Sequence, residues 1–161
     1  MPLRILLDAR HVRDFGFGTY IRNLLRGFAT LNAPHQFLLV AHQDESHEFD
    51  GLPANFERIF YERNDNEPFD QISFPLFTRS LKPDLTHIPL NAVPVFQPKP
   101  FVVTVHDLST IVYDAPSGWR HEVRRFQARR GMMRAETVIA VSEATRHDVV
   151  HLLGIPPERV Q

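Results

Sequence analysis

Phe101-Val102-Val103-Thr104-Val105 is β-branched or aromatic at every position, and His106-Asp107 follows it at once. An apolar run without alternation suits a strand buried on both faces, as in a parallel sheet covered by helices. RILLDA (Arg4 to Ala9), QFLLVA (Gln36 to Ala41) and TVIAV (Thr137 to Val141) read the same way. Two weaker strands are expected at ERIFY (Glu57 to Tyr61) and DLTHI (Asp84 to Ile88). Helical segments separate them. From Thr19 to about Leu31 the residues Tyr20, Ile21, Leu24, Leu25, Phe28 and Leu31 share one arc at 100° per residue, and Asn32-Ala33-Pro34 ends the segment. A helix-like stretch between Phe69 and Leu81 contains Pro75, which implies a kink or a late start. A helix is expected from Ser117 to Arg134. Another follows Ser142 as N-cap and runs to Leu153, with Gly154 at C′ and Pro156-Pro157 beyond. Strands alternating with helices imply an α/β fold, a mostly parallel sheet with helices on both faces. The sequence runs out as a new strand begins at Val160-Gln161, so the expectation is that residues 1–161 are the first half of a larger protein.

Composition bounds the function classes. A net charge of -1 gives no global reason to expect nucleic acid as a partner. The absence of cysteine excludes disulfides and thiolate metal sites. The N-terminus lacks an apolar signal-peptide core, and no window approaches the ~18 apolar residues of a membrane span. The expectation is a soluble cytoplasmic protein.

In parallel α/β sheets ligands bind beyond the carboxyl ends of the strands. That rule singles out the loop with Gly16 and Gly18, the loop beginning at His106, and the Ser142-Glu143 turn. Gly16-x-Gly18 precedes a helix whose free N–H groups could hold a phosphate. Its glycines equally suit a loop that needs positive φ. A dinucleotide fingerprint would place Gly or Ala where Ile21 stands, which disfavours a dehydrogenase or epimerase. His106 beside Asp107 could bond a sugar hydroxyl or move a proton near pH 7; alternatively Asp107 caps the next turn. Ser142 is adequately explained as a helix cap, and no Gly-x-Ser-x-Gly elbow occurs.

The segment from Ser117 to Arg134 carries Arg120, Arg124, Arg125, Arg129, Arg130 and Arg134 against one acid, Glu122. Trp119, Val123, Phe126 and Met133 form its expected apolar stripe, and Arg130 falls inside that arc. A cation there needs an anion, whether carboxylate or phosphate, or a route to water. The basic patch also suits a peripheral contact with anionic lipid headgroups. His147 and His151 stand at i, i+4, but Asp148 replaces the Glu of the zinc-protease helix and no third ligand is evident, so no metal is expected.

Several segments match one family in order. RILLDAR followed by GFGTYIRNLL, then FVVTVHDLS, then RAETVIAVSEATRHDVVHLLGIPPERV resemble the N-terminal domain of family 4 (group 1) glycosyltransferases. Within residues 42–80 no segment is identified that carries the resemblance. The resemblance implies a Rossmann-like domain, one half of a two-domain GT-B fold, with the nucleotide-sugar domain absent from this chain. It implies hexosyl transfer with retention, from a nucleoside-diphosphate sugar to the hydroxyl of a sugar, lipid or polysaccharide acceptor. The donor is a substrate, so no cofactor is implied. The resemblance puts Gly16 and Gly18 near the donor diphosphate and His106 beside the transferred sugar. Asp107, Ser142 and Glu143 line the same edge. Arg10 and Tyr20 belong to the matching motif without an assigned role. By itself the fragment is expected to be inactive, and the enzyme is placed in the cytoplasm or at the inner face of the membrane. The competing reading is a freestanding, non-enzymatic α/β module that binds a ligand or a protein at its strand ends.

Overall fold

The computed structural model describes the chain except residues 66, 68, 92 and 110–118, together with the side chains of Trp119, Arg120, His121 and Arg124. Six strands form one sheet: β1 (Arg4–Asp8), β2 (Gln36–Ala41), β3 (Phe56–Phe60), β4 (Leu85–Ile88), β5 (Phe101–Val105) and β6 (Thr137–Ala140). Their order is β3-β2-β1-β4-β5-β6, and every pairing is parallel. The order reverses between β1 and β4, which opens a crevice at the carboxyl ends of those strands. At Val160 and Gln161 the chain returns to β6, where the Gln161 N–H donates to the Val138 carbonyl at 2.9 Å. The sheet is therefore wholly parallel, a Rossmann-like arrangement.

Among the described residues the α-helices are α1 (Phe17–Leu31), α2 (Asp70–Ser80), α3 (Trp119–Arg134) and α4 (Glu143–Leu153). Alternation along the strands divides the core. Leu7, Phe37 and Leu39 face α1 and pack with Ile21, Leu25 and Phe49. Leu6, Leu38 and Val40 face the other way and pack on Phe74 of α2. Odd-numbered residues of β5, namely Phe101, Val103 and Val105, join Met132 of α3 with Val149 and Leu153 of α4. Period-2 side-chain direction thus covers both faces, which is why these strands carry unbroken apolar runs.

Three expectations need correction. Helix α1 begins at Phe17, two residues before Thr19, because the loop carbonyls of Phe15 and Asp14 take its first N–H groups. Pro75 does not delay α2, which starts at Asp70; a proline in the second turn forfeits the bond its own nitrogen would have made and crowds the carbonyl four residues back, and the rest of the helix carries it. The stripe expected on α3 holds at Met133, which packs against the core, but fails at two other positions. Val123 and Phe126 are exposed, while Ala128, Gly131, Met132 and Ala135 are buried. A Cβ on Gly131 would lie 2.7 Å from the Cβ of Val93, so α3 docks through its small residues and close backbone approach decides the buried face. The helix start proposed at Ser117 lies outside the described residues, as does the side chain of Trp119. A short 3-10 helix, Gln43–Phe49, occupies the segment that resembled no known pattern.

Phe37 stacks on Phe56 at 4.5 Å and on Phe28 at 5.0 Å between ring centres, with 1% of its surface exposed. Phe37→Ala is expected to lower the unfolding free energy by about 3–5 kcal/mol, read as a shifted denaturant midpoint with an unchanged slope.

Candidate functional site

The site is assembled from the three loops that leave β1, β4 and β5 at their carboxyl ends. His106 follows Val105 and is half-buried. Its ring is held edge-on by Phe17 at 4.8 Å and Tyr20 at 4.9 Å, both from the first turn of α1. Burial pushes its pKa down, partly offset by a bond with the Pro89 carbonyl and by the nearby Asp107. The imidazole is therefore neutral at pH 7. Its Nε2 is buried and has no partner among the described residues.

Below this ring lies a buried polar chain. The Tyr20 hydroxyl is 3.1 Å from Thr104 Oγ1, which in turn is 2.8 Å from His87 Nε2. Burial lowers the His87 pKa to about 4, so this second imidazole is also neutral. The backbone of His106 is fixed from α4: Thr145 Oγ1 donates to the His106 carbonyl at 3.0 Å. Sequence reasoning missed Thr145, which sits three residues after the Ser142 cap and carries no motif of its own.

The other expected residues divide by what holds them. Ser142 caps α4, its Oγ accepting from the Thr145 N–H at 3.1 Å, and Glu143 is exposed in the first turn. Asp107 is exposed; its Oδ1 accepts from the backbone N–H of Ser109 at 2.9 Å and from that residue's hydroxyl, which is the turn-capping arrangement. Gly16 has φ +84°, a conformation L side chains rarely adopt. Gly18 is required sterically, because a Cβ there would lie 2.3 Å from the Val12 carbonyl oxygen. Its N–H donates to the Asp14 carbonyl at 2.9 Å, and that of Phe17 to Phe15 at 3.2 Å. Among the described residues, the Gly16 and Thr19 N–H groups remain as the donors that the helix start can offer. Ile21 is wholly buried under α1, filling the place a dinucleotide fingerprint reserves for glycine.

Arg130 is exposed, so water solvates it without any partner. Its neighbours on α3 have structural work. Arg125 and Arg129 donate to the Leu152 and Leu153 carbonyls at the end of α4, which satisfies orphan acceptors and complements the helix dipole. Arg134 bonds the Val95 carbonyl. His147 and His151 are exposed with rings 4.2 Å apart, and no cluster of three metal-ligating side chains occurs among the described residues.

The loop after β1 is clamped by charge. Arg10 is buried and makes ion pairs with Asp8 at 2.8 Å and Asp70 at 3.0 Å. His11 lies 2.6 Å from Asp14 and 3.3 Å from Asp65. Burial opposes its charge, but the bonds to Asp65 and Asp14 prevail and raise its pKa to about 9. Since the unfolded imidazole titrates near 6.5, this contribution is complete below pH 6.5 and is lost as pH rises through 9. The stability gap between wild type and His11→Gln is therefore expected to close between pH 6.5 and 9, measured as denaturant midpoints across that range.

The profile of Glycosyltransferase Family 4 matches residues 16–161, and the chain belongs to that family. No curated protein matches it significantly. Among solved structures, a glycosyltransferase from Rickettsia africae ESF-5 superposes with a TM-score of 0.64 at 15% identity. That match covers 99% of this chain and 42% of the Rickettsia chain, so the present chain spans under half of that relative's length. At this identity the likeness speaks for the fold.

Proposed function

We propose that this family 4 domain is the acceptor-side half of a retaining glycosyltransferase, which moves a hexosyl group from a nucleoside-diphosphate sugar to an acceptor hydroxyl. The observation that carries the reading is the His106 imidazole at the carboxyl end of β5: neutral, wedged between Phe17 and Tyr20, with an unpartnered Nε2. A neutral imidazole with an unpartnered ring nitrogen suits a hydroxyl of the transferred sugar, which can donate to that nitrogen or accept from it. Phe17 and Tyr20 fix the ring plane, and Thr145 fixes its backbone. Pre-set orientation removes the reorganisation that a freely rotating side chain would need in the transition state.

In the reaction, the bond from the sugar C1 to the diphosphate oxygen breaks, a bond from C1 to the acceptor oxygen forms on the same face, and the acceptor hydroxyl's proton passes to the departing diphosphate. The departing diphosphate gains charge that fixed donors must stabilise. The start of α1 contributes the Gly16 and Thr19 N–H groups, with the helix dipole behind them. The steric need for Gly18 keeps the loop backbone close to the helix there. Asp107, Ser142 and Glu143 shape the rim. Arg130, exposed on α3, is assigned to a peripheral anion such as a lipid headgroup. The nucleotide-sugar pocket belongs to a second domain, as the 42% coverage of the Rickettsia enzyme suggests, so residues 1–161 alone do not turn over. No resident cofactor or metal enters the scheme, and nucleic acid is not a partner. No described helix is long and apolar enough to cross a membrane; the enzyme is assigned to the cytoplasm, where nucleotide sugars are made.

In the full-length protein, His106→Gln is expected to lower kcat/KM by roughly 100-fold or more, the scale of one lost transition-state hydrogen bond. The melting temperature should stay within a few degrees. An unchanged rate removes His106 from the chemistry, and a collapse in melting temperature with normal turnover makes it structural.

A further inference from the structure

At the opposite edge of the sheet lies a cavity of about 480 Å³. Its lining includes Arg79 and Lys82 from the end of α2, Lys99 just before β5, and Arg134 from the end of α3. Thr86 and the exposed ring of Phe96 complete the wall. Pro100 on its rim stands six positions before His106, so it lies roughly 20 Å from the catalytic edge at ~3.3 Å per residue. The two centres are separate.

The charge here is unbalanced. No carboxylate lines the cavity. The acids nearest in sequence are Glu136, 3.3 Å from Lys99 Nζ, and Asp84, whose Oδ2 is taken by the Arg4 N–H. Arg79 and Arg134 have a helix-end rationale, since both stand in last turns. Lys99 has its ion pair with Glu136, so Lys82 is the lysine without a carboxylate partner among the described residues. The whole sequence contains only two lysines, Lys82 and Lys99, and both are here. Lys82 moreover holds φ +49°, a left-handed position that glycine or asparagine normally fills after a helix. A lysine kept at a glycine position, facing three more cations, makes sense if an anion neutralises them.

We propose that this cavity binds a phosphate group, supplied either by a soluble phosphate ester or by the headgroup of an anionic lipid. Lys82 and Lys99 act as point charges, the arginines as forked donors, and Phe96 covers one side.

The test is a titration of the protein with sodium phosphate, at ionic strength held constant with sodium chloride, reading backbone amide shifts by NMR. Saturable shifts at Lys82, Phe96 and Lys99 are expected. The double variant Lys82→Gly with Lys99→Gln should bind phosphate at least tenfold more weakly, while Lys82→Gly relaxes the backbone and keeps the fold. Phosphatidylglycerol vesicles separate the sources. Sedimentation that the variant loses assigns the phosphate to a lipid headgroup, and phosphate binding without sedimentation assigns it to a soluble ester. Shifts no larger than those with chloride, equal affinity in the double variant, or shifts confined to the Gly16 loop would overturn the proposal. None of these outcomes depends on His106 or on turnover.

Discussion

A guanidinium sealed from water at the end of β1 holds the functional edge together. Arg10 Nε and one terminal nitrogen form a fork on Asp8, at 2.9 and 2.8 Å. The other terminal nitrogen reaches Asp70 at 3.0 Å and the Arg63 carbonyl at 3.1 Å. The Arg10 guanidinium carbon also lies 4.0 Å from the centre of the Phe74 ring. One cation thereby joins the last residue of β1, the start of α2 and the connection between β3 and α2. Loss of either type of partner would leave a buried charge uncompensated, which typically costs about 3–5 kcal/mol. Burial opposes the charge on Arg10, but the two aspartates secure it. The next residue, protonated His11, repeats the device nearer the surface by joining Asp14 to Asp65.

That clamp matters because the glycine loop begins at the residues it fixes. With Arg10 and His11 held, the chain turns through Val12 and Asp14 to present Phe17 and Tyr20 to His106. A second system meets it from below, where Tyr20, Thr104 and the neutral His87 are linked hydroxyl to hydroxyl to imidazole. A third comes from α4 through Thr145. The imidazole is therefore placed by elements drawn from both halves of the sheet. A site on a topological crevice requires this, since no single strand carries it.

The strands were legible because burial on both faces leaves an unmistakable apolar run, and their carboxyl ends then located the candidate site. The caps at Ser142 and Gly154 were legible for similar local reasons, and Gly154 does take φ +66°. Other features depend on residues far apart in sequence. Nothing near Arg10 announces Asp70, sixty positions away, so Arg10 stood in the matching motif without a role. On α3 the apolar stripe misled because large residues were counted, whereas Ala128, Gly131 and Ala135 mark the contact by their smallness at i, i+3, i+7. The 3-10 helix at Gln43–Phe49 offered no long periodicity to detect.

The account rests most heavily on Arg10 as the joint between the glycine loop and the start of α2. Hydrogen exchange on Arg10→Met, compared residue by residue with wild type, tests that joint directly. Protection should fall together from Arg10 to Gly16 and from Arg63 to Asp65, while β5, α3 and α4 keep their own pattern. If only one of those segments loosens, or neither does, the two loops are held independently and the clamp is not what positions the site.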